Sequence, residues 1–80
     1  MNAIDKYNQI FVETFQVNLR DLNDNFTSEL VPVWDSVLQL SLVSELEDEF
    51  DIMLDSEDIL DFKSYSLGKE ILAKYGVSLG

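Results

Sequence analysis

Trp34-Asp35-Ser36-Val37-Leu38-Gln39-Leu40, continuing through Ser41-Leu42-Val43-Ser44-Glu45-Leu46-Glu47-Asp48-Glu49-Phe50, is the stretch whose reading decides the fold. Leu40, Val43, Leu46 and Phe50 recur at three- and four-residue steps, with Leu42 beside them. That spacing predicts an amphipathic helix that buries this stripe. An Asp-Ser pair stands at its mouth. Ser36-Val37-Leu38-Gln39 matches a capping box, in which the Ser36 hydroxyl accepts the Gln39 amide N–H. Asp35 is an equally good cap one residue earlier. In that case Ser36 faces solvent at the positive end of the helix, where a phosphodiester is electrostatically favoured. The residues alone leave both readings open, and the second makes Ser36 a candidate modification site.

Upstream of this stretch, Ile4, Tyr7, Phe11 and Phe15, with Ile10 alongside, predict a first amphipathic helix. Between Gln16 and Trp34 the periodicity dissolves into Asn18, Asp21, Asn23, Asp24, Asn25, Thr27 and Ser28, residues that favour turns, and Pro32 closes the segment. A loop this long needs pinning by its own apolar residues. Leu19, Leu22, Phe26, Leu30 and Val33 are the expected pins.

Downstream, Ile52-Met53-Leu54 reads as a connector, and Ser56 before Glu57 and Asp58 as the N-cap of a very short third helix through Leu60. Phe62 is expected in the core. Ser64 is expected to cap a last helix whose Tyr65, Gly68, Ile71, Leu72 and Tyr75 share a face, and Gly76 sits where a left-handed C-cap belongs. The tail from Val77 to Gly80 reads as an appendage.

The totals exclude several classes of function. Eighty residues at 46% apolar content make one domain, residues 1–80, with a small core. No apolar run approaches the roughly 18 residues of a membrane span. The N-terminal residues Met1 to Lys6 lack the basic start and apolar block of a secretory signal, which points to a cytoplasmic protein. With no His and no Cys there is no Ser-His or Cys-His pair and no soft metal site, so the chain is expected to be non-catalytic. A net charge of -11, from 16 acidic and 5 basic residues, disfavours nucleic acid and favours partners with basic patches.

Asp21-Leu22-Asn23-Asp24-Asn25 begins like a calcium loop, but Phe26 stands where the sharp turn needs Gly and Pro32 where a bidentate Glu belongs. No metal site is expected there. Glu45, Glu47, Asp48, Glu49, Asp51, Asp55, Glu57, Asp58 and Asp61 read as a solvated acidic face.

Taken whole, the chain resembles the acyl carrier proteins. Asp35-Ser36-Val37 stands at their Asp-Ser-Leu motif, and Leu40, Leu42-Val43, Leu46-Glu47-Asp48-Glu49-Phe50, Leu54, Glu57 and Phe62 align with their spacing without gaps. The first helix matches in register through Ile4, Tyr7, Ile10-Phe11 and Phe15. The resemblance implies an all-α, antiparallel four-helix bundle with a short third helix and a long loop between helices one and two. It implies a covalent 4'-phosphopantetheine arm on Ser36, installed from coenzyme A by a separate Mg-dependent phosphopantetheinyl transferase that recognises Asp35. The arm's thiol would hold an acyl thioester, which explains how a chain without Cys could carry one.

Partner enzymes with basic docking patches would meet Val37, Leu38 and Leu40, ringed by carboxylates such as Glu47 and Asp48, and the carrier would work as a monomer. The sequence departs from the primary fatty-acid carriers at Val33-Trp34, where they usually have Gly-Ala, and at Leu38 and Ser41, where they usually have Asp and Glu. The Trp34-Asp35-Ser36 form is similar to D-alanyl carriers and to stand-alone carriers of polyketide, surface-polysaccharide or amino-acid-loading systems. An acyl carrier of a specialised pathway is therefore the expectation, with an aminoacyl carrier as the alternative and an unmodified helical interaction module as a rival of a different class.

Overall fold

The computed structural model describes residues 2–79. It contains helices α1 (Ala3–Phe15), α2 (Ser36–Phe50), α3 (Ser56–Asp61) and α4 (Tyr65–Lys74), with a 3-10 turn at Leu19–Asp21. Among the described residues there is no strand, only an isolated bridge between Thr27 and Ser64. The chain is all-helical, as its periodicity predicts.

Side-chain oxygens start three of the helices. Asn2 Oδ1 accepts the Asp5 N–H, Asp35 Oδ1 the Leu38 N–H and Ser64 Oγ the Leu67 N–H, at 2.9–3.1 Å. Each satisfies an amide that has no partner within its helix. The expected cap of α3 is displaced by one residue: Ser56 is its first helical residue, and Asp55 takes the cap position without a side-chain bond.

Three helices end in one device, a backbone bond from the residue after a left-handed position back into the last turn. The pairs are Val17 N–H to Val12 O, Ile52 N–H to Glu47 O and Val77 N–H to Leu72 O. The left-handed residues are Gln16, Asp51 and Gly76. Gly76 occupies the place predicted for it, while the other two accept a conformation that a side chain disfavours.

The core is aromatic. Phe11 meets Tyr7, Phe15, Phe26, Trp34, Phe62 and Tyr65 with centroid separations of 4.9–6.2 Å. Such edge and offset contacts add to the gain from area burial alone. The Tyr7 hydroxyl donates to the Tyr65 carbonyl at 2.6 Å, and burial pushes its pKa far above the usual tyrosine value. Leu42, Val43, Leu46, Leu54, Ile71 and Leu72 complete the buried set.

The structure corrects the expected pins of the α1–α2 connector. Phe26 is buried and Leu22 half-buried, but Leu19, Leu30 and Val33 are exposed. Their places are taken by Trp34, which is buried, and by Val17 and Val31, which pack against the core. Backbone bonds from Ser28 N–H to Lys63 O (2.8 Å) and from Tyr65 N–H to Phe26 O (2.9 Å) clip the connector to the α3–α4 junction. Its polar residues build turns: Asp21 accepts the Asn18 N–H, and Asn23 the Asn25 N–H.

The buried stripe of α2 also differs from the expected one. It runs through Gln39, Leu42, Val43, Leu46 and Phe50, whereas Leu40 is 62% exposed. Both sets satisfy helical spacing, and the contacts to α1 and α3 select the former. Asp58 is not part of a solvated face. It is 6% exposed, pairs with Lys74 and accepts the Tyr75 hydroxyl. Glu47 is half-buried as well, with its carboxylate accepting the Leu54 N–H at 2.9 Å. The tail is more than an appendage, because Val77 and Leu79 pack against the core. Met1 and Gly80 lie outside the described residues.

Candidate functional site around Ser36

Two residues of opposite character precede Ser36 and fix its position. Trp34 buries its ring against Phe15, 4.8 Å between centroids, and donates its indole N–H to Gln39 Oε1. Asp35 turns outward and caps α2 through the Leu38 N–H. Ser36 is thereby left as the first residue of α2, exposed, and outside the capping bond. The capping-box alternative fails because the Gln39 N–H donates to Asp35 O at 2.9 Å and Ser36 is the first helical residue, not the cap; the Gln39 side chain is engaged elsewhere. Its amide nitrogen donates to Ile59 O at 2.8 Å and to Phe62 O at 2.9 Å. A polar residue on the buried stripe of α2 thus ties Trp34, α2 and α3 together. Nothing in the sequence alone marks Gln39 for that role.

Electrostatically the site is the positive end of a 15-residue helix whose first turn carries no acidic residue. Amide groups not yet paired within the helix and the aligned peptide dipoles favour an anion there. An open groove of about 360 Å³ lies beside Ser36, lined by Trp34, Gln39, Leu40, Ile59, Leu60 and Lys63, among others.

The other expected contact residues divide between faces. Leu40 shares the groove with Asp35 and Ser36. Leu38 turns toward α1, where it lines a second groove with Ile10, Thr14 and Ser41. Val37 is 69% exposed. Asp48 is exposed near Lys6 and Glu49, and the Glu47 carboxylate is committed to Leu54. Glu47 and Asp48 begin 11 residues after Ser36, roughly 16 Å along the helix at 1.5 Å per residue. Ser36, Asp35 and Leu40 therefore form one site, and Glu47 and Asp48 lie apart from it.

No protein-family model matches the chain, and no curated protein matches it. No helix among the described residues is long and apolar enough to cross a membrane.

Proposed function

We propose that this chain is a carrier protein whose Ser36 holds a 4'-phosphopantetheine arm, and that its helices form the antiparallel four-helix bundle of the acyl carrier proteins it resembles. The observation that carries this reading is the division of labour at the head of α2. Asp35 makes the cap, which leaves the Ser36 hydroxyl exposed at a helix N-terminus that favours a phosphodiester.

In the loading step Ser36 Oγ attacks the phosphorus that bears the pantetheine in coenzyme A. The Oγ–P bond forms, the P–O bond to adenosine 3',5'-bisphosphate breaks, and the hydroxyl proton passes to a base of the transferase. The arm's thiol then holds an acyl group as a thioester for cytoplasmic partner enzymes. Leu40 and Val37 give those enzymes apolar contacts, and the -11 charge steers basic docking faces toward the carrier.

Intact mass after incubation with a broad-specificity phosphopantetheinyl transferase, magnesium and coenzyme A tests the reading. The unaltered chain should gain one arm and Ser36→Ala none. Because Asp35 holds the cap, Ser36→Ala should change stability by less than about 0.5 kcal/mol. Asp35→Ala should cost roughly 0.5–2 kcal/mol. Loading that persists in Ser36→Ala would remove Ser36 from the mechanism.

A further inference from the structure

The interior beneath Ser36 is filled by rings. Phe11 is surrounded by six aromatic side chains. Where α4 approaches this cluster, a Cβ added to Gly68 would overlap the Tyr7 hydroxyl and the Phe62 ring. That wall has no room for one methyl group. Trp34, two residues before Ser36, lines the outer groove while its ring packs on Phe15 and Phe26. The surface beside Ser36 is different. The groove there is open, with apolar cover from Leu40 and Leu60, which are 62% and 72% exposed, and a cation from Lys63.

We propose that the group carried on the Ser36 arm is a short acyl group, with or without an amino substituent, that rests in this surface groove and does not enter the core. The inference rests on the carrier reading of Ser36. An interior packed as tightly as an organic crystal admits an alkyl chain only if rings are displaced, and overpacking a filled core is unfavourable. A long chain left outside would keep its apolar surface in water. A short group avoids both penalties: the groove beside Ser36 gives it apolar contact with Leu40, Ile59 and Leu60 without disturbing Phe11.

The test compares the chain loaded by the transferase from coenzyme A, acetyl-coenzyme A and octanoyl-coenzyme A. Mass reports loading, melting temperature reports core filling, and resonances of Phe11, Leu40 and Leu60 report location. Acetyl and octanoyl forms should melt with the unacylated form, and the acetyl group should shift resonances at Leu40 and Leu60 and leave Phe11 unmoved. An octanoyl form that melts several degrees higher and moves the Phe11 ring would overturn the inference and leave the carrier reading standing. Absence of any shift at Leu40 and Leu60 would overturn it too. A chain that gains mass from none of the three loses the carrier reading, and this inference with it.

Discussion

The ring cluster and helix α3, which meet at Phe62, are built differently. On one side Phe62 enters the ring cluster around Phe11, where cohesion comes from many contacts and the Tyr7–Tyr65, Tyr65–Asn8 and Trp34–Gln39 hydrogen bonds interrupt the apolar surface. On the other side α3 itself buries little apolar area. Leu60 is exposed and Ile59 half-buried, and the helix is held by Gln39 at Ile59 and Phe62 carbonyls and by Asp58 to Lys74 and Tyr75. The Asp55 N–H adds a bond to the Tyr75 hydroxyl at 3.0 Å. Dispersed apolar contacts fail together, whereas a few polar bonds can be removed singly. The ring cluster should therefore unfold only with the whole molecule, and α3 should be able to open by itself.

The harshest way to break this contrast is Phe11→Ala. It removes the ring that all six neighbours share and should cost about 3–5 kcal/mol, much of the stability of a chain this size. Chemical denaturation should show one cooperative transition at lower denaturant. An unchanged midpoint would mean that the cluster does not organise the fold.

Gln39→Ala should act on the other region. It strands the Phe62 carbonyl and the Trp34 indole N–H and takes one of two donors from the Ile59 carbonyl, which keeps the Phe62 N–H, at about 1–3 kcal/mol for a buried group left unsatisfied, less where water can reach. Amide exchange should quicken across 56–62 before it quickens in α1. Equal acceleration in both places would merge the two regions into one.

Asp58→Asn sharpens the comparison through pH. Hydrogen bonds from Lys74 and Tyr75 hold the Asp58 carboxyl below its ordinary value of 3.8, and Asp58 holds Lys74 above its ordinary 10.5. A lowered carboxyl stabilises the fold fully above its unfolded value, and that contribution is lost as pH falls through the folded one. The raised Lys74 contributes below its unfolded value and loses that contribution as pH rises through the folded one. Asp58→Asn should lower the melting temperature most between those limits, and the gap to the unaltered chain should narrow in stronger acid. A gap independent of pH would assign the effect to shape, not charge.

Where the chain is helical, its sequence was readable. Ile4, Tyr7, Phe11 and Phe15 named the buried face of α1, and Ser64 and Gly76 named the two ends of α4, because helix periodicity and capping are local physics. The connector defeated that reading. With no repeat to assign faces, Leu19 and Leu30 look as suited to burial as Val17 and Val31, and only the backbone clip to Lys63 and Tyr65 decides between them. Leu40 and Gln39 posed the same problem inside a helix. Hydrophobicity chose Leu40, whereas the carbonyls of α3 selected the amide. In sequence Asp58 looks solvated because its partners, Lys74 and Tyr75, lie 16 and 17 residues away. At the site, the Asp-Ser pair is visible in sequence, but which of the two makes the cap depends on whether the helix starts at Ser36 or one residue later, and local spacing fits both.

The clip between the connector and the α3–α4 junction also bears on how the protein is made. Synthesis runs from α1 onward, yet the rings that enclose Phe11 include Phe62 and Tyr65, and the N–H that donates to the Phe26 carbonyl belongs to Tyr65. Until those residues emerge, α1 and the connector have no completed surface to settle on, and contacts between distant segments form only after the loop between them has closed. The nascent chain therefore waits, its Phe11 face uncovered, until translation has passed Tyr65.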